Sequence, residues 1–148
     1  MIISEILTPQ GVSLDLKAAG KKQALQELAG LAAKHLHVEG RVILDALIER
    51  EHLGTTGFGS GVAIPHGKLA GIDRMFMMFA RFAVPVPFDA LDGRPVDLMF
   101  LLLAPENAGA DHLTALAKAS RILRDDALCA KIRGSATKEA IYSLILES

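Results

Sequence analysis

The chain has 148 residues, 51% of them hydrophobic, enough for one domain that buries roughly two-thirds of its unfolded surface. Its 16 basic and 17 acidic side chains are interspersed and leave a net charge of −1, which argues against nucleic acid as the main partner. This apolar content excludes intrinsic disorder, and the longest apolar stretches, around residues 75–80 and 98–104, fall far short of the ~20 residues of a membrane helix.

The opening stretch MIISEILTPQ has no basic region ahead of its apolar residues, so no secretory signal is expected. No internal repeat, low-complexity tract or linker divides residues 1–148, which are therefore expected to form a single domain. Residues 12–17 alternate apolar and polar side chains, as a short strand does. Residues 21–36 then repeat apolar residues at helical spacing, with Leu25, Leu28, Ala32 and Leu36 on one stripe. Gly30 weakens that helix by ~1 kcal/mol relative to alanine, which packing must offset. A second helix is predicted over 39–52, with Ile43, Ala46 and Leu47 inward. Arg50 follows three residues after Leu47 and four after Ala46, which puts it on the same inward stripe.

A glycine-rich loop and a short apolar run ending at Ile64 come next. Residues 74–82 and 96–104 are almost continuously apolar, as strands covered on both faces are. The segment between them is rich in turn formers, with Asp92-Gly93 the sharpest signal. After Pro105 the helical period returns, with Leu113, Leu116, Ala117, Ser120 and Leu123 as the apolar stripe and Asp111 as the expected N-cap. Two shorter helices follow, over 125–133 and 137–146, the second capped by Thr137. Cys129, the single cysteine, lies within an apolar helical pattern and reads as a core residue in a reducing cytoplasm. Strands interleaved with paired helices indicate an α/β sandwich around a central sheet.

The segment GFGSGVAIPHGKL, residues 57–69, carries the chemistry worth testing. It fails the Walker A pattern, because Leu69 follows Gly67-Lys68 and Val62 stands where the first glycine belongs. It fails the dinucleotide fingerprint too, since Val62 replaces the third glycine and the loop runs from a helix into a strand. A metal site is not indicated: His66 has no second ligand at i+2 or i+4, and His35, His37 and His52 read as solvated helix-end residues. No cofactor is expected.

His66 then has two possible roles. It is either a strand-end histidine in a turn, with Gly57, Gly59 and Gly61 making a long bend, or a reactive imidazole held on a proline corner. A neutral imidazole near its pKa of ~6.5 is a good nucleophile and can carry a phosphoryl group without a metal. Arg50 supplies positive charge for such a group. His112, expected just inside a helix N-terminus, would stay neutral in a region that favours anions, or would simply be a partly buried helix-start residue.

GTTGFGSGVAIPHGKL resembles the active-site segment of enzyme IIA domains of the bacterial phosphotransferase system, mannitol/fructose/nitrogen-regulatory class. The resemblance extends through ALIEREHLGTTG, PFDALDGRPVDLMFLLLAPE and DHLTALAKASRIL, and is nearest to the stand-alone nitrogen-regulatory branch. It implies a three-layer α/β/α sandwich around a small mixed sheet. It implies that His66 takes a phosphoryl group from an HPr-like carrier of the NPr type, supported by His112 and Arg50. Amides of Gly57, Gly59, Ser60 and Gly61 are candidates for the phosphoryl oxygens, and Phe58 is a candidate for the docking rim. A regulatory phosphocarrier is the leading expectation, and a sugar-transport IIA passing phosphate to a IIB protein is the alternative. Neither requires nucleic acid or membrane insertion.

Overall fold

The computed structural model describes residues 2–148. In chain order the elements are β1 (Val12–Leu16), α1 (Lys21–Leu36), α2 (Gly40–His52), β2 (Gly57–Gly59), β3 (Val62–Ala63), β4 (His66–Leu69), β5 (Phe76–Val86), β6 (Val96–Pro105), α3 (Ala110–Leu123), α4 (Asp126–Gly134) and α5 (Lys138–Leu146). The strands form one mixed sheet in the order β1-β5-β6-β3-β2, with β4 also pairing with β6. β5 runs antiparallel to β6, whereas β3 and β4 both run parallel to it.

The strand period of two splits β6 between two cores. Leu98, Phe100, Leu102 and Ala104 join the residues buried under α3, α4 and α5. Met99, Leu101 and Leu103 join those buried under α1 and α2. Both faces are covered, which is why residues 96–104 read as an apolar run broken only by Asp97, and the result is a helix–sheet–helix sandwich.

Two strands were not foreseen. β2 is built of glycines, and β4 is four residues with an exposed lysine, so neither carries a strand pattern of its own. Pairing with neighbours makes them strands: His66 stands opposite Leu102, and Leu69 opposite Pro105. α3 also departs from expectation. Gly109, at φ 57°, precedes it, and Asp111 lies in the first turn instead of capping it. Its buried face is Ala115, Ala119, Ile122 and Leu123, whereas Leu113 is 70% exposed. Thr137 does cap α5, its hydroxyl accepting from Ala140 N at 3.1 Å, and Cys129 is buried.

One close approach brings the helical layer to the strand that begins with His66. A Cβ built on Gly67 would lie 3.4 Å from both Ala46 Cβ and Ala46 O of α2. A single methyl can just be fitted there; a branched side chain must push α2 away. We predict that Gly67→Val lowers stability by about 1–3 kcal/mol in urea unfolding, and Gly67→Ala by clearly less. Wild-type stability for the valine variant would show that the α2–β4 contact does not constrain the fold.

Candidate active site

His66, the first residue of β4, lies where α2, β4 and the start of α3 meet. Together with Ala46, Glu49, Arg50, Leu53, Gly67, Lys68 and His112 it lines an open hollow of 390 Å³. The preceding Ile64-Pro65 pair narrows the backbone options on both sides of that peptide. The imidazole turns back on its own strand, with Nδ1 2.8 Å from the Ile64 carbonyl oxygen. A carbonyl only accepts, so Nδ1 carries the proton. On the other side of the ring, Arg50 Nε–H donates to His66 Nε2 at 3.1 Å. An arginine only donates, so Nε2 presents its lone pair. The hydrogen-bond network thus assigns the neutral Nδ1–H tautomer.

Arg50 is half-buried on the inward stripe expected of it, and its NH1 donates to the Gly54 carbonyl at 2.9 Å across the end of α2. That second bond fixes the guanidinium plane against the ring nitrogen. His112 lies in the N-terminal turn of α3, its ring centroid 5.6 Å from that of His66 at an interplanar angle of 64°. Its Nε2 is buried and meets no hydrogen-bond partner among the described residues.

Electrostatics keep both rings neutral. Burial is the largest influence lowering the His66 pKa, and Arg50 adds to it, while the Ile64 hydrogen bond and Glu51 act in the opposite direction. For His112, burial again comes first, followed by the charges of His66 and Lys68. Two uncharged imidazoles beside a fixed guanidinium make a nucleophile, Nε2 of His66, in a positively biased pocket.

The glycine run does not join them. Positive φ at Gly59 (112°), Ser60 (60°) and Gly61 (80°) turns the chain between β2 and β3. Two of the four amides are engaged elsewhere: Gly57 N donates to Thr55 Oγ1 at 3.1 Å, and Ser60 N to Asp92 Oδ2 at 2.9 Å. Gly57 also permits close packing, since a Cβ there would lie 3.0 Å from that of Ala90. The clustering therefore comes from a tight reversal and close packing. None of Gly57, Gly59, Ser60 and Gly61 lines the hollow. Phe58 is likewise engaged elsewhere, with the Arg124 guanidinium 5.5 Å above its ring. The large apolar side chain lining the hollow is Leu53, 82% exposed, a residue that carried no sequence signal. Lys68 lines the hollow because two residues past His66 on β4 is the same face, but β4 was not foreseen and Lys68 was not singled out from the sequence. His35 stacks against Phe76 at 5.7 Å, and His37 ends α1 in the left-handed region.

The family model for enzyme IIA, type 2, of the phosphoenolpyruvate-dependent sugar phosphotransferase system matches residues 5–148. The chain belongs to this family. As a IIA component it is a phosphotransferase that carries a phosphoryl group on histidine. Among its relatives, a nitrogen regulatory protein of Bradyrhizobium diazoefficiens is 50% identical over 145 residues, covering 98% of this chain and 95% of that one. A fructose-specific EIIA component of Haloferax volcanii is 36% identical, covering 98% and 95%. The crystal structure of the nitrogen regulatory protein IIA-Ntr from Neisseria meningitidis superimposes with a TM-score of 0.92 at 36% identity, covering 97% of this chain and 98% of that one. The IIA chain thus has the α/β architecture of its relatives, and its nearer likeness is to the nitrogen-regulatory branch.

Because both rings are held below the ordinary histidine value, proton NMR should give His66 and His112 titration midpoints below about 6.5. In His66→Ala the His112 midpoint should move up, because one of the charges that lowers it has gone. The sign for stability follows. Unfolded histidines bind protons that the folded ones refuse, so this contribution is complete above about pH 6.5 and is lost as pH falls through the folded values. Midpoints at or above 6.5 would contradict the description of the site.

Proposed function

We propose that His66 is the phosphoryl-accepting residue of this IIA chain and that Arg50 and His112 stabilise the group in transit. The observation that carries the proposal is the His66 Nε2 lone pair, held between a proton fixed at Nδ1 and the Arg50 guanidinium. The donor is the phosphohistidine of an HPr-like carrier of the NPr type. Nε2 attacks phosphorus in line as the N–P bond of the carrier breaks and its imidazole leaves with the electron pair. His66 keeps its Nδ1 proton throughout, so no proton need be moved.

The bonds broken and formed are both N–P bonds, so the equilibrium lies near unity and the protein contributes positioning and charge. Arg50 gives up its hydrogen bond to Nε2 as phosphorus arrives and turns its fork to the phosphoryl oxygens. The buried His112 Nε2, with no protein partner among the described residues, is available to another oxygen. The N-terminal turn of α3 and Lys68 add positive potential. Exposed Leu53 at the hollow and Leu113 beside His112 offer the carrier an apolar rim.

The output is regulatory: about two negative charges added at this hollow change which partners can bind. The 50% identity to a nitrogen regulatory protein favours this over transfer to a sugar-specific IIB protein, for which the fructose-specific relative at 36% is the supporting likeness. We read residues 1–148 as one IIA domain acting in the cytoplasm.

Incubation with phosphoenolpyruvate, enzyme I and an HPr-like carrier, followed by mass spectrometry, tests the assignment. His66→Ala should take up no phosphate while keeping its thermal midpoint, and His112→Ala should still be modified at His66, but slowly. Full incorporation in His66→Ala would overturn the proposal. Arg50→Lys replaces a planar fork with a point charge and should slow single-turnover transfer at least tenfold, ~1.4 kcal/mol of barrier, with carrier affinity little changed. A wild-type rate would make Arg50 an ordinary helix-end cation.

A further inference from the structure

The last turn of α2 carries two adjacent charges with different destinations. Arg50 reaches the His66 ring directly. Glu51 turns into the protein, its side chain only 6% exposed. Glu51 Oε1 accepts from Lys21 Nζ at 2.7 Å and from Thr56 N at 3.1 Å, and Oε2 accepts a short hydrogen bond from the Thr56 hydroxyl. Thr56 is the one buried polar residue among the described residues.

Thr56 is linked in turn to the active histidine. Its carbonyl accepts from Ile64 N at 3.1 Å, and the Ile64 carbonyl accepts from His66 Nδ1 at 2.8 Å. The next residue, Pro65, is fixed to the sheet through its own carbonyl, which accepts from Leu102 N at 3.0 Å. Four hydrogen-bonded links therefore run from α1 to the imidazole: Lys21 to Glu51, Glu51 to Thr56, Thr56 to Ile64, and Ile64 to His66.

We propose that Glu51 is a positioning residue for phosphoryl transfer: through Thr56 and the Ile64 peptide it sets the carbonyl that holds the proton of His66 on Nδ1. The inference rests on His66 being the phosphoryl acceptor. The chemistry favours this role over simple stabilisation. A buried ion pair is weak evidence for stability, because desolvating both charges consumes most of what their attraction returns. What Glu51 does supply is direction. With two acceptor atoms on one residue's amide and hydroxyl, it fixes both the position and the rotation of Thr56, which free rotation of a loop residue would otherwise leave open. A carbonyl displaced from Nδ1 removes the acceptor that holds the proton there and leaves only the Arg50 contact to oppose its move to Nε2, where a proton would leave no lone pair for phosphorus.

The test combines ¹⁵N NMR of the His66 ring with single-turnover transfer from a phosphorylated HPr-like carrier. Glu51→Gln keeps the side-chain shape but places an amide donor against Thr56, and Thr56→Val keeps the shape but removes the hydroxyl. In both variants the Nδ1–H form should lose its dominance and transfer should slow about tenfold, with carrier affinity unchanged. Thr56→Ser, which keeps the hydroxyl, should hold the wild-type tautomer and restore the rate. If Glu51→Gln does not fold, Thr56→Val decides. Variants that fold with the wild-type tautomer and rate, or that lose rate only in proportion to the unfolded fraction, overturn the proposal. Phosphate found in the wild type on a residue other than His66 would instead overturn the assignment of the acceptor, and the ¹⁵N tautomer comparison would still decide whether Glu51 orients the ring.

Discussion

A carbonyl oxygen can only accept a hydrogen bond, and the Ile64 carbonyl accepts from His66 Nδ1 at 2.8 Å. That constraint orders everything else at the hollow. With the proton held on Nδ1, Nε2 is left with its lone pair and can face a cation without penalty. Arg50 occupies that side at 3.1 Å. Were the proton on Nε2, the guanidinium would meet another donor and the two would repel. The proline corner, the parallel pairing of β4 with β6 and the close approach at Gly67 all place the ring so that this one bond can form.

Charge at the hollow is managed by burial and by contact together. Burial disfavours the charged form of both histidines, and the fixed positive charge of Arg50 disfavours it further in His66. A neutral imidazole is the nucleophilic form, and the forces that lower the pKa keep His66 in that form at neutral pH. The same positive surroundings attract an incoming dianion. The bias that resists a proton on the histidine is the same bias that the proposed phosphoryl group would meet.

Long periodic segments were legible in the sequence. The α1 stripe, the inward position of Arg50 on α2 and the apolar run of β6 follow from helical and strand periods and need no tertiary knowledge. Short elements were not. β2 and β4 are strands because β3 and β6 lie beside them, and no local pattern of two to four residues encodes a neighbour. The face of α3 was read one step off because two of its four buried positions are alanines, which close packing against the sheet favours, while Leu113 stays at the surface. At the site, His66, Arg50 and His112 could be singled out by residue type and place, and the fold brings them together. The glycine run was misplaced for a physical reason: positive φ serves a chain reversal as well as an anion, and only the partners of each amide separate the two. Glu51 and Thr56 carried no signal, since Lys21 reaches Glu51 across thirty positions of sequence.

The central claim is that the Ile64 carbonyl leaves Nε2 of His66 as the reactive nitrogen. The most direct measurement is a heteronuclear NMR experiment on the phosphorylated, ¹⁵N-labelled protein that reads the coupling between phosphorus and a ring nitrogen. Phosphorus coupled to Nε2 of His66, with Nδ1 still protonated, is the predicted result. Phosphorus on Nδ1 of His66, or on His112, would contradict the account.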